Sequence, residues 1–315
     1  MSLGIGIVTI SGDAHAYLIA TKLGSDRGVK CHVFEMDKVS DGHSFSVRPA
    51  KLGPSASLTD ALGAQVDLSE LNVCWWRRVA RSQSISHEVD DGSLRNVINS
   101  SCVDGISGSY LTAFQGTFVS DPIRTALAEN KIVQLAAAVR AGLKTPRTLV
   151  SNNSSEIIGF AKMLPKGLVL AKALGRTARL IDAKRLSVGE LNLDEVRVVP
   201  SIFQEFIAGR RHIRANVFGK QIFSVAIDCD AVDWRRELPD RLQEISLPAD
   251  VEERLLKTVE ILGLRMGVID MKIDEEGEFV FFEINPQGQF LFLEPLSGIP
   301  FTSIFADFLV AVASH

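Results

Sequence analysis

Gly267-Val268-Ile269-Asp270-Met271-Lys272-Ile273 and, a little further on, Phe281-Phe282-Glu283-Ile284-Asn285-Pro286-Gln287-Gly288-Gln289 carry more information than any other part of the chain. Two β-rich runs, Val268–Ile273 and Phe279–Ile284, flank the turn-like Asp274-Glu275-Glu276-Gly277-Glu278, so the region reads as a hairpin. Side chains alternate along a strand, which puts Glu283 and Asn285 on one face, with Asp270 opposite them on the neighbouring strand. Two carboxylates and an amide oxygen are thereby gathered on otherwise apolar strands, with Gln287 and Gln289 just beyond. Hard oxygen donors without Cys or His suit Mg²⁺, which takes one or two carboxylates and completes its shell with nucleotide phosphates. An acidic hairpin facing water is the competing reading. Phe281, Phe282 and Ile284 bracket the polar positions and point instead to a mostly covered sheet.

The whole chain, at 315 residues, is long enough for two or three units, each with its own core. A net charge of −4 argues against a nucleic-acid partner, which calls for a basic excess. Cys31, Cys74, Cys102 and Cys229 lie far apart with no Cys-x-x-Cys pair, which excludes zinc and redox motifs and suggests a reducing, cytoplasmic setting. No charged leader precedes the strand-like Ile5–Ile10 and no apolar run approaches ~20 residues, so neither export nor a membrane partner is expected.

The first ~110 residues have the βαβ order of a parallel sheet: strand Gly4–Ile10, helix Ala14–Gly28, strand Val29–Met36. Gly-x-Gly-x-x-Gly is absent after the first strand, which speaks against a dinucleotide fold; Ser11-Gly12-Asp13 reads as a short turn with Asp13 as the helix N-cap. Val73-Cys74-Trp75-Trp76-Arg77-Arg78 reads as a strand ending in two arginines, either a core tryptophan beside solvated arginines or a basic rim for an acidic substrate. Ser93–Gly116 looks helical but interrupted by glycines, and a further helix is expected from Asp121-Pro122 to Gly142, with a strand beyond Pro146. A small α+β unit follows to about Pro200. The last third is strand-rich and closes with a helix, Thr302–Ala313.

Three further pieces suit a nucleotide site. Lys172 ends the strand Val169-Leu170-Ala171-Lys172, where a cation can meet phosphate oxygens. Gln204-Glu205-Phe206-Ile207 ends another strand, whose backbone can pair with an adenine edge. Arg214 and Arg235 offer forked donors for phosphate or carboxylate. Each has a plain alternative taken alone: a surface lysine, a buried strand, a solvated arginine.

Their order resembles the ATP-grasp superfamily, over essentially the whole chain. Lys131, Lys172, the Gln204–Ile207 hinge, Arg214, Asp270, Glu283 and Asn285 follow that family's succession of phosphate lysines, adenine hinge, arginine and Mg²⁺ ligands. The narrower likeness is to the microviridin-type (graspetide) peptide ligases, with the ribosomal-protein glutamate ligases as cousins. It is carried by Ile7-Val8-Thr9 with Asp13-Ala14-His15, by Trp75–Arg78, by Asn130–Leu135, by Gly142–Val150, by Val232-Asp233-Trp234-Arg235, and above all by Phe282–Glu294 with its Asn-Pro-Gln-Gly-Gln core. A phosphate lid reduced to Ala173–Arg179 with a single glycine is similar to that branch; His212 stands where related proteins often place an aspartate, and reads as an exposed strand residue without a role.

The resemblance implies an α/β (α+β) ATP-grasp fold in three units: an N-terminal domain over residues 1–120, a central lobe over 121–200 and a C-terminal lobe over 201–315. It implies ATP and Mg²⁺, with Mn²⁺ as an alternative ion. Asp270, Glu283 and Asn285 would hold the metal, and Lys131, Lys172 and the hinge the nucleotide. Arg214 and Arg235 would act in catalysis. The implied partner is a precursor peptide with an acidic core, met by the arginines of Trp75–Arg78 and of Asp233-Trp234-Arg235-Arg236, and the implied assembly is a homodimer. The implied chemistry activates a side-chain carboxylate as an acyl phosphate and closes an ester or amide crosslink. A carboxylate–amine ligase acting on a small amino acid or protein terminus shares that chemistry; a nucleotide-responsive binding protein without turnover does not.

Overall fold

The computed structural model describes residues 3–49, 53–80, 82–165, 168–174, 184–190, 197–230, 234 and 241–313. Strand β1 (Gly4–Thr9), helix α1 (Ala14–Arg27) and β2 (Lys30–Glu35) open the chain. The run Gly-Ile-Gly-Ile-Val-Thr is buried at every position, as a parallel strand covered on both faces must be. Helix α1 ends at Gly28, whose φ of +61° is the left-handed cap that a residue without Cβ adopts freely. A small antiparallel sheet, β3 (Phe45–Arg48), β4 (Ser55–Thr59) and β5 (Gln65–Asp67), packs beside this unit, followed by β6 (Val73–Trp76), α2 (Gly92–Ala113) and β7 (Thr117–Val119). The main N-terminal sheet is parallel throughout in the order β2-β1-β6-β7. Helix α2 runs unbroken through Gly105 and Gly108, where an interruption was expected.

Two helices replace the single one expected from Asp121 to Gly142: α3 (Pro122–Ala128) and α4 (Lys131–Arg140). The break has a local cause. Asn130 adopts extended backbone angles and its side-chain oxygen accepts from the N–H groups of Ile132 (2.9 Å) and Val133 (3.4 Å), so a second helix starts there. Lys131 is its first residue. A central antiparallel sheet follows, built from β8 (Thr148–Ser151), α5 (Ser154–Met163), β9 (Leu168–Ala173), β10 (Lys184–Ser187) and β11 (Ser201–Glu205), in the order β10-β9-β11-β8.

The last sheet is antiparallel and five-stranded, β14-β13-β12-β15-β16, from β12 (Arg211–Phe218), β13 (Gln221–Asp228), β14 (Arg241–Ile245), β15 (Met266–Ile273) and β16 (Phe279–Asn285). Helices α4 and α6 (Ala249–Leu262) cover one face, burying Ala137, Leu255, Ile213, Ile269 and Phe281 together. The C-terminal helix α7 (Phe301–Ala313) packs back onto the N-terminal sheet, with the rings of Trp75 and Phe305 4.5 Å apart. One hydrophobic core thus joins Ile5 and Trp75 near the start of the chain to Phe218, Phe290 and Phe305 near its end. Among the described residues no helix is long and apolar enough to cross a membrane.

Arg77 is neither solvated nor part of a rim for peptide. It is fully buried, its Nε donating to Asp13 Oδ2 (2.5 Å) and its Nη2 to Asp13 Oδ1 (3.0 Å). Asp13 stands at the N-cap position of α1, but its carboxylate is taken by Arg77 and Thr9 rather than by helix N–H groups. His212 is not exposed but buried, on β12 between Ile227 and Lys272.

Burial by itself would raise the Asp13 carboxyl, but the hydrogen bonds and charge of Arg77 outweigh it and hold the group below its usual 3.8. The pair's contribution is therefore complete above that value and lost as the pH falls through the folded-state pKa. Replacing Arg77 by Leu leaves a buried carboxylate unpaired and should lower unfolding stability by about 3–5 kcal/mol. Arg78→Glu, on the cleft surface, should stay within about 0.5 kcal/mol. Urea melts of the two variants check both. Asn130→Ala should cost about 1 kcal/mol in the same experiment, and Asn130→Gly only a few tenths.

Candidate active site

The register of the C-terminal sheet lays charges in a row. Arg214 on β12 is paired with Asp270 on β15, and Asp270 with Glu283 on β16. The hairpin read from the sequence is present, and Asn285 lies on the same face two residues beyond Glu283, opposite Val268. Arg214 Nη1 donates to Asp270 Oδ1 at 2.7 Å, and its Nη2 donates to the Gln289 carbonyl at 2.8 Å. Its guanidinium lies 5.7 Å from the ring centres of both Trp234 and Phe292. Lys131, presented by the first turn of α4, forms an ion pair with Glu283. The row therefore reads cation, carboxylate, carboxylate, cation.

A second group gathers on the central sheet. Lys172 Nζ donates to Gln204 Oε1 (2.9 Å), and Gln204 Nε2 donates to Thr148 Oγ1 (3.0 Å). Glu205 is held by Arg147 through two bonds of 3.0 Å, which keep its carboxyl below the usual range. The Glu205 side chain is thus engaged, and the residue's backbone N–H donates to the Arg147 carbonyl at 2.9 Å. Two contacts join this group to the charge row. Lys172 lies 5.8 Å from the centre of the Phe282 ring. Lys272 donates to the Ile207 carbonyl (3.3 Å) and sits 5.7 Å from the centre of the Phe206 ring.

Phe282 reaches this side because of a bulge: the register shifts between Asp270 and Met271, so that Asp270 faces Glu283 while Met271 faces Phe281. Simple alternation missed this. Lys272 was legible by the same alternation that found Asp270, since it lies two residues on along one strand. Burial lowers the pKa of its ammonium. Arg235 lies outside the described residues, as do Asp233, Arg236 and residues 175–179 of the short lid.

The donor set fits a hard divalent cation. Asp270 and Glu283 supply carboxylates, and Asn285 an amide oxygen that already accepts from the Gln287 N–H at 3.0 Å. Among the described residues no three His, Cys, Asp or Glu side chains are grouped to hold a metal, so protein ligands need completion by another oxygen-rich group. Beside the row opens a cleft of about 1310 Å³, with Arg78 and Asp37 on the N-terminal wall and Arg214, Asn285, Gln287 and Gln289 on the other.

No family model and no curated protein matches the sequence. Solved structures do. The macrocyclase MdnC from Microcystis aeruginosa MRC, bound with precursor peptide MdnA, is 25% identical and superimposes with a TM-score of 0.87 over 98% of this chain and 100% of that one. A RiPP-associated ATP-grasp ligase from Chryseobacterium gregarium, in complex with ADP and a leader and core peptide, is 24% identical, with a TM-score of 0.86 over 98% and 97%. The VanG D-Ala:D-Ser ligase of Enterococcus faecalis shares the fold more distantly, at 13% identity and a TM-score of 0.59. Likeness over the full length of both chains goes with a site whose parts arrive in the expected order: the chain has the ATP-grasp fold and is similar to ligases associated with ribosomally synthesised peptides.

Proposed function

We propose that this chain is an ADP-forming ligase that activates side-chain carboxylates of an acidic precursor peptide and closes ester or amide crosslinks within it. The observation that carries the reading is the Arg214–Asp270–Glu283–Lys131 row, which meets the large cleft at Arg214 and, two residues beyond Glu283, at Asn285. At about 1310 Å³ the cleft exceeds the roughly 300–1,000 Å³ of ordinary small-molecule pockets, which favours a peptide over a single amino acid as the substrate.

We assign Lys131 and Lys172 to the phosphates of ATP and the backbone of Gln204–Ile207 to its adenine. Asp270, Glu283 and Asn285 would hold Mg²⁺, which would neutralise the charge developing on the phosphates. Arg214, buried beside the stacked rings of Trp234 and Phe292 and tied through both terminal nitrogens, receives the incoming carboxylate; Arg235 is kept as its partner. A carboxylate oxygen attacks the γ-phosphorus and ADP leaves. A hydroxyl or amine then attacks the acyl carbon, phosphate departs and the nucleophile's proton is released. The acyl phosphate must be kept from water, and the central lobe proposed over residues 121–200, between units 1–120 and 201–315, would exclude it by closing over the site. Four cysteines spaced without a pairing pattern support the cytoplasm as the compartment.

Thermal melts of wild type and Glu283→Ala, with ATP plus Mg²⁺ or ATP plus EDTA, test the nucleotide site. At about 100 times the dissociation constant, binding adds about 2.7 kcal/mol of stability. A Mg²⁺-dependent shift in the wild type that disappears in the variant is the expected outcome; no shift in either protein sinks the assignment. Release of ADP stimulated by an acidic peptide encoded beside the gene tests turnover, and a nucleotide-dependent shift without that release would mark a binding protein instead.

A further inference from the structure

We propose that His15 is a positioning residue of the ligase reaction, which fixes Arg214 through the Gln289–Leu291 segment and so ties the N-terminal unit to substrate capture. The inference rests on the role given to Arg214 above. His15 lies in the first turn of α1, two residues after Asp13. Its Nε2 is the acceptor for two backbone N–H groups, those of Phe290 and Leu291, at 3.1 Å each. Its ring meets Phe290 edge-on at 5.5 Å. The residue just before this pair, Gln289, turns its carbonyl to Arg214 Nη2 at 2.8 Å, and Arg214 grips Asp270 at 2.7 Å. An unbroken chain of hydrogen bonds thus runs from α1, across 275 residues of sequence, to the guanidinium in the cleft wall.

The geometry dictates the form of the ring. A nitrogen that accepts two N–H groups carries no proton, so the imidazole is neutral with its hydrogen on Nδ1; imidazolium has no acceptor and would release the segment. The surroundings agree. Burial, then the charge of Arg77, pulls His15 down to about 4; Asp13 opposes, while Arg78 and Arg214 add to the depression. The ring is therefore neutral around pH 7. The buried Asp13–Arg77 pair anchors the turn that carries it.

Packing and hydrogen bonding are separable here by substitution. His15→Leu keeps bulk but offers no acceptor, whereas His15→Gln retains a carbonyl oxygen. In the full chain, hydrogen exchange of the amides of Phe290 and Leu291 should quicken about three- to tenfold in His15→Leu, as loss of one modest hydrogen bond implies. It should remain near wild type in His15→Gln. The KM for an acidic peptide should rise about tenfold in His15→Leu with Mg²⁺–ATP affinity unchanged, and His15→Gln should restore it. In wild type, ¹⁵N NMR should find the Nδ1–H tautomer, untitrated between about pH 5 and 8.

A ring that titrates near its ordinary value overturns the inference. So does unchanged exchange at Phe290 and Leu291 in His15→Leu, or faster exchange spread evenly over the protein. Should His15→Leu fail to fold, the NMR of wild type and the kinetics of His15→Gln decide. Absence of peptide-stimulated ADP release in wild type would instead sink the ligase reading, while the exchange and NMR results, which need no peptide, still report on His15.

Discussion

Asp270 and Glu283 face each other directly across a β-hairpin, and like charges so placed repel. Much of the architecture can be understood as what makes that placement tolerable. Arg214 arrives from the adjacent strand to meet one carboxylate, and Lys131 from the start of α4 to meet the other. The apolar face of the same sheet is sealed by α4 and α6, so the polar face has a fixed backbone to stand on. Local repulsion retained at such cost to the fold is characteristic of a functional site. A divalent cation with nucleotide phosphates would relieve it and free Lys131 to turn from Glu283 to phosphate.

The cations are themselves positioned from a distance. Lys131 heads its helix because Asn130 caps it, which stops α3 and starts α4 at that point. Arg214 is oriented by a carboxylate, by a backbone carbonyl and by the faces of two aromatic rings, so its fork points one way. The carbonyl belongs to a segment that His15 holds from the other end of the chain. Behind His15 stands the buried Asp13–Arg77 pair, and beneath it the core shared by the first strands and the last helix. Ordering of the cleft wall is therefore a property of the whole chain rather than of the C-terminal sheet alone.

Legibility in the sequence followed the range of the interactions. The βαβ start, the parallel sheet and the acidic hairpin rest on local periodicity, and alternation along β15 and β16 was enough to align Asp270 with Glu283. The same rule reached its limit at the bulge, which turned Phe282 toward Lys172, and it was not extended to Lys272, although that residue obeys it. The helix read as continuous over Asp121–Gly142 divides because an asparagine that is neutral in a helix interior is strongly favoured as a cap. Arg77 and His212 were misread because a charged or polar side chain reveals nothing of its burial until its partner is known; that of Arg77 lies 64 residues away.

By itself the sequence determined the fold class, the order of the candidate site residues and their chemical character. These are properties of residue type, spacing and strand alternation, which the chain carries locally. Tertiary structure alone decided which cation meets which carboxylate, which arginine is buried and which faces the cleft, and how the first helix reaches the Gln289–Leu291 segment. Those outcomes depend on contacts between residues up to 276 positions apart, where geometry and desolvation select the partner and no local pattern records the choice.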